Sequence, residues 1–196
     1  MRSEYISHKD AQLVLHRQFI TAAEAAHLLG RLSREIDWRE DRIRLFGREH
    51  AIPRLQQFQG ETGLQYRYSG LQLQARPWHP LIAALLARIA TLEPTPFNCV
   101  LLNLYRDGSD SMGWHSDDEP ELGPDPVIAS LSLGQPRRFV LRHRQDPGQP
   151  KLELTLENGS LLLMRGSTQH FWQHALPRTR RPCAPRLNLT FRRICR

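Results

Sequence analysis

The stretch Asn103–Glu119, NLYRDGSDSMGWHSDDE, is where the fold and the chemistry of this chain meet. Residues two apart in extended backbone face the same way, so His115 and Asp117 can reach one ion while Ser116 points elsewhere. Just upstream, Val100, Leu102 and Leu104 alternate with Cys99, Leu101, Asn103 and Tyr105, so the stretch is entered from a strand. Downstream, short β-type segments recur at 127–133, 137–142, 151–156, 160–164, 171–175 and 186–193. Gly123-Pro124-Asp125-Pro126, Asp146-Pro147-Gly148 and Asn158-Gly159 separate several of them as turns. Many short strands at this spacing predict a sandwich or barrel.

The first half reads differently. Residues 12–20 read as a short strand or an extended entry segment. Thr21 then opens a helix, with Glu24 completing a capping box. Ala25, Leu28, Leu29, Leu32 and Ile36 supply its apolar stripe. Residues 41–58 alternate weakly around Phe46-Gly47, and Leu64–Leu73 reads as strand, turn, strand, with Ser69-Gly70 at the bend. Pro80 suits the first position of a second helix, with Leu81, Ile82, Leu85, Leu86, Ile89 and Leu92 on its apolar face and Pro94 as its stop. The expectation is a mainly β protein with flanking helices. Its core would be a double-stranded β-helix, or jelly roll, with an N-terminal helical and β extension acting as a buttress on one face. One domain spans 1–196, with the extension at 1–97 and the jelly-roll core at 98–196.

The chain has 196 residues, 40% of them apolar and 24% charged, which suits one globular domain. Its net charge is +7, and only Lys9 and Lys151 are lysines, so arginine carries the excess. Guanidinium forks pair with phosphate or carboxylate, although an arginine-biased genome would give the same composition. Cys99, Cys183 and Cys195 form neither an even set nor a CxxC pair, which excludes a disulfide framework and a cysteine zinc site. The polar start MRSEYISHKD carries no signal region, and no apolar run reaches membrane-spanning length. The expectation is a soluble protein of a reducing compartment.

His174 offers a second imidazole from a distant strand. Two imidazoles and one carboxylate on one face, with open positions opposite, suit the iron of non-haem oxygenases. The same donors suit zinc, and an HxD pair alone is common. The last strand narrows the choice. Arg186, Asn188, Thr190 and Arg192 share one face, while Leu187, Leu189 and Phe191 take the other. The two arginine Cα atoms stand roughly 20 Å apart, and side chains reaching inward leave room for a short dicarboxylate. Solvated strand-face arginines are the plain alternative.

In combination, NxY, HxD, a later His and RxNxTFR resemble the AlkB family of Fe(II)/2-oxoglutarate-dependent nucleic acid dealkylases, and most nearly the members that repair double-stranded DNA. The resemblance covers roughly 45–193 and includes LFG, YRYSG, NLYRDG, HSDDE, PVIASLSLG, RRFVLRH, NGSLLLM, QHALP and APRLNLTFR. It implies that His115, Asp117 and His174 bind Fe(II), and that Asn103, Tyr105, Arg186 and Arg192 bind 2-oxoglutarate, with O2 as co-substrate. It implies that Asp118 and Glu119 line a base pocket and that Tyr68 stacks on a flipped base. Tyr66, Ser69 and Arg54 would lie at the lesion pocket or the nearby backbone. It makes the hairpins of 1–97 nucleotide-recognition elements.

The implied reaction removes an alkyl group from a base nitrogen, as in 1-methyladenine or 3-methylcytosine in DNA. 2-Oxoglutarate leaves as succinate and CO2, and the alkyl carbon leaves as formaldehyde. The reacting atom lies on the Watson–Crick edge, so the base must be unpaired or flipped. Both methylated bases are cations, which an acidic, aromatic pocket favours. Arg142 and Arg144 are candidates for phosphate contact. Phe46, between Arg44 and Arg48, suits a wedge that enters the base stack. The implied partner is single- or double-stranded alkylated DNA, with no membrane, a monomeric state and a cytoplasmic or, in a eukaryote, nuclear location. RNA is the alternative substrate. A cupin-like metal isomerase or hydrolase would not need two arginines on its last strand. A non-catalytic binding module would not need intact ligand spacing.

Overall fold

The computed structural model describes residues 2–45, 48–68 and 71–195, without the side chains of 43–45, 48, 68 and 71. In chain order it contains β1 (Arg2–His8), β2 (Ala11–Arg17), α1 (Ala22–Glu35), β3 (Arg42–Leu45), β4 (Arg48–Ala51), β5 (Leu55–Gly60), β6 (Gln65–Tyr68) and β7 (Leu71–Gln74). There follow α2 (Pro80–Ile89), β8 (Cys99–Tyr105), β9 (Met112–His115), β10 (Ile128–Gly134), β11 (Arg137–His143), β12 (Leu152–Leu156), β13 (Ser160–Arg165), α3 (Thr168–Phe171), β14 (Trp172–Leu176) and β15 (Arg186–Arg192). Two sheets carry the fold: seven strands in the order β1-β2-β13-β10-β15-β8-β5, and four in the order β12-β11-β14-β9. Two hairpins, β3–β4 and β6–β7, stand apart from both. The protein is mainly β, with the two facing sheets of a jelly roll.

The large sheet is apolar on both faces because both are covered. One face packs Val100, Leu102, Ala129, Leu131, Leu187, Leu189 and Phe191 against the helices. Ala25, Leu28 and Leu32 of α1, with Ile82, Leu85 and Ile89 of α2, meet them there. The other face packs Leu13, Leu15, Leu101, Leu162 and Met164 against Phe139, Leu141, Leu156 and Trp172. Toward one end of this inter-sheet space the residues turn polar: Asn103, Ser130, Ser132, Arg186, Asn188, Thr190 and Arg192 are all buried. That end holds the site.

The expected capping of α1 holds, since Thr21 Oγ1 accepts from the Glu24 N–H at 3.2 Å. Pro80 is the first residue of α2, but that helix ends at Ile89 instead of running on to Leu92. The chain closes in turns after Ile89, where the Leu92 and Glu93 N–H groups both donate to the Ile89 carbonyl, and buried Glu93 pairs with Arg165 at 2.6 Å. A second difference concerns the N-terminal half. It is more than a helical buttress, because β1, β2 and β5 join the large sheet. β1 was not legible because its residues are mostly exposed and show no alternation.

Candidate metal and cosubstrate site

β9 and β14 are neighbours in the small sheet, and His115 pairs directly with His174 across their ladder. The two rings lie edge to face with centroids 4.2 Å apart. Asp117 lies past the end of β9, outside any strand, so the HxD pair is only partly in extended backbone. Ligand atoms of His115, Asp117 and His174 nevertheless all lie within 4.8 Å of one another. His115 Nδ1 contacts the Gly113 carbonyl at 2.9 Å, which makes Nδ1 the protonated nitrogen and leaves the lone pair on Nε2. Burial, reinforced by His115, pushes His174 down to about 3, so it stays neutral. Burial also lowers His115. In Asp117, burial alone would raise the carboxyl, but Arg192, His174 and His115 outweigh it and hold it below its usual range. Asp117 Oδ1 accepts from Arg192 Nη2 at 2.7 Å, whereas Oδ2 is buried without a hydrogen-bond partner and sits 4.0 Å from His174 Nε2. Two neutral imidazoles beside an orphaned carboxylate oxygen fit a divalent cation.

Next to this cluster, the inward face of β15 presents Arg186, Asn188, Thr190 and Arg192, as its period predicts. Register sets Asn188 beside Asn103, and Arg186 beside Tyr105. Arg186 is 2% exposed, donates to Ser132 Oγ at 2.8 Å and lies 5.4 Å from the Tyr105 ring centroid. Among the described residues no carboxylate pairs with it, and its Nε has no partner. Burial, with Arg137 adding repulsion against Tyr105's favourable contact, lowers it to about 10. A buried, unpaired guanidinium calls for an anion. The Asn103 carbonyl oxygen accepts from Arg54 Nε at 2.9 Å, which turns its NH2 group the other way. The donors therefore fit a small dicarboxylate beside the metal cluster.

Other expected site residues fall elsewhere. Arg54 is buried and donates to the Asn103 side chain. Tyr66 is fully buried, with its hydroxyl donating to Glu119 at 2.8 Å and Arg192 5.7 Å from its ring centroid. Burial raises the Tyr66 phenol far above its ordinary value and, helped by Asp117, raises the Glu119 carboxyl. Asp118 turns outward and pairs with Arg144 at 2.5 Å. Arg142 lies 4.4 Å from the Trp114 ring centroid and donates to Gln173. Phe46 and Ser69 lie outside the described residues, as does the Tyr68 side chain.

Some supporting residues carry no sequence signal. Ser116 Oγ donates to the Trp172 carbonyl at 3.0 Å, and the Asp117 N–H donates to Gln169 Oε1 at 2.9 Å. Each joins positions more than fifty apart, which no local pattern reports.

Residues 12–192 match the family described as the 2OG-Fe(II) oxygenase superfamily. The chain is 40% identical over 181 residues to mouse "DNA oxidative demethylase ALKBH2", covering 88% of this chain and 76% of that protein. It is 37% identical over 192 residues to human "Alpha-ketoglutarate-dependent dioxygenase alkB homolog 3", covering 94% and 66%. The solved structure of OsALKBH1 shares the fold, with a TM-score of 0.62 over 98% of this chain and all of that one, at 17% identity. That family uses Fe(II), 2-oxoglutarate and O2, and the His115–Asp117–His174 cluster fits the iron. The chain belongs to the 2OG-Fe(II) oxygenase superfamily and, within it, to the AlkB family.

Proposed function

We propose that this enzyme oxidatively demethylates N-alkylated bases in DNA, acting on 1-methyladenine and 3-methylcytosine as a direct repair of alkylation damage. The observation that carries the reading is the pairing of a His-Asp-His cluster with the buried, carboxylate-free Arg186 in one pocket. The relatives named as DNA oxidative demethylases support DNA as the substrate. In this reading His115, Asp117 and His174 hold Fe(II). Arg186, Arg192, Asn103 and Tyr105 hold and orient 2-oxoglutarate, and Arg192 also pairs with Asp117. Iron so held, with 2-oxoglutarate and O2, supplies oxidation of the alkyl carbon, which then leaves as formaldehyde.

The remaining residues act on the substrate. Phe139, Met164 and Leu176 wall the pocket with apolar surface and limit water beside the reacting carbon. Tyr68 stacks on the displaced base. Asp118, once released from Arg144, accepts from its exocyclic amine, while Tyr66 and Glu119 form the buried floor. Segment 1–97 recognises the nucleotide, with Phe46 as a wedge in the base stack and Ser69 as a contact at the lesion pocket, and 98–196 is the catalytic core. Arg142 and Arg144 meet phosphates. No helix among the described residues is long and apolar enough to cross a membrane. We place the enzyme as a monomer with DNA, in the cytoplasm or in a eukaryotic nucleus.

The test is decarboxylation of 2-oxoglutarate by purified protein. It should require Fe(II) and accelerate with a 1-methyladenine oligonucleotide. Iron-dependent turnover that ignores the oligonucleotide would retain the oxygenase and overturn the substrate.

A further inference from the structure

The Asp117 main chain lacks the support that β9 gives His115. It lies outside any strand, so no ladder hydrogen bond fixes it. What meets its N–H is the side-chain oxygen of Gln169, at 2.9 Å. Gln169 is 0% exposed and sits on the single turn α3. Among the described residues its amide nitrogen finds only the Met164 sulfur, at 3.5 Å. Sulfur is a weak acceptor, so the buried amide is incompletely satisfied on that side. Burying an amide with one good bond costs stability.

The surroundings of Gln169 show what that bond does. α3 runs directly into β14, so the segment 168–176 carries Gln169, Trp172 and His174 together. Gln169 holds the Asp117 N–H, the Trp172 carbonyl holds Ser116, and His174 is the second imidazole of the cluster. One segment thus supplies a metal-facing imidazole and the pegs that place the carboxylate beside it. The segment is anchored in turn. The Gln12 N–H donates to Thr168 Oγ1 at 2.9 Å, Thr168 Oγ1 donates to the Arg165 carbonyl, and Trp172 Nε1 donates to the Lys9 carbonyl at 2.9 Å.

We propose that Gln169 is a positioning residue for the metal: its amide oxygen fixes the Asp117 backbone so that Oδ2 faces the ion. Its work is done before any substrate binds. It should therefore appear in metal affinity, and not only in turnover. The inference rests on the metal reading of the cluster.

The test is Mn(II) affinity of metal-free protein, measured by calorimetry alongside a melting curve. Gln169→Met fills the space but removes the acceptor. Gln169→Asn keeps the amide but draws it back from Asp117. Both should bind Mn(II) about 10–100-fold more weakly, the usual effect of losing a partner that orients a ligand. Gln169→Glu retains an acceptor oxygen at the same reach and should bind more tightly than either. A wild-type Mn(II) affinity in Gln169→Asn would overturn the proposal, whatever its melting temperature. That variant decides the matter alone if Gln169→Met does not fold. Asp117→Ala separates the two levels: if it binds Mn(II) as the wild type does, the metal reading itself has failed.

Discussion

Arg192 and Asp117 are 75 residues apart in sequence, yet Arg192 Nη2 lies 2.7 Å from Asp117 Oδ1 with both side chains buried. The last strand thus grips the carboxylate of the metal cluster. Removing one partner of a buried ion pair costs about 3–5 kcal/mol. Arg192→Met should lower the stability of metal-free protein by about that much. Saturating Mn(II) should recover part of the loss, because the cation replaces the guanidinium as counter-charge. Urea melts with and without Mn(II) decide this. An equal loss in both would show that Asp117 does not face the metal.

Arg186 should behave otherwise. Arg186→Lys keeps the charge but loses the fork. A charged hydrogen bond is worth about 1.5–3 kcal/mol, so KM for 2-oxoglutarate should rise about tenfold or more. Affinity for an oligonucleotide should stay within about twofold. A collapse of oligonucleotide binding with unchanged cosubstrate saturation would make Arg186 a phosphate contact.

Asp118 pairs with Arg144 at the surface, one residue beyond Asp117. If it serves the base, Asp118→Asn should reduce activity on cationic methylated bases more than on neutral etheno-type lesions. Arg144→Gln should spare that discrimination while weakening DNA binding, since it frees the carboxylate and removes a cation. Equal losses on both lesion classes in Asp118→Asn would leave Asp118 with no part in reading the base.

The metal-free protein should be acid-sensitive. His174 is pushed down to about 3 and His115 is also lowered, both chiefly by burial. The unfolded chain takes up these protons near the ordinary value of about 6.5, and the native state does not. Stability is therefore complete above about pH 6.5 and falls as pH drops toward 3. The urea midpoint should be lower at about pH 5.5 than at about pH 7.5, and His174→Gln should flatten the dependence. A midpoint that does not change across that interval contradicts the buried, neutral imidazoles.

What could be read from the sequence was what repeats at short range. The period of two put Arg186, Asn188, Thr190 and Arg192 on one face, and it grouped His115 with Asp117 although Asp117 lies past the end of β9. The N-cap at Thr21 was equally local, though the Glu24 carboxylate that would complete a box accepts from Arg88. The residues that hold these groups in place were not legible, because their partners lie far away in the chain. Nothing near Arg54 in sequence reports Asn103 as its partner, and nothing near Gln169 reports Asp117. The pairing of Asp118 with Arg144, 26 positions on, was likewise not legible. β1 could not be found because an exposed edge strand needs no apolar alternation.

The central claim is that one pocket couples 2-oxoglutarate turnover to removal of a methyl group from DNA. The direct measurement incubates the enzyme with Fe(II), 2-oxoglutarate, O2 and an oligonucleotide bearing a single 1-methyladenine. Oligonucleotide mass, formaldehyde and succinate are then followed together. The account predicts loss of one methyl group per strand, with formaldehyde and succinate rising in step, and none of this in Asp117→Ala. Succinate formed with the oligonucleotide mass unchanged would contradict it.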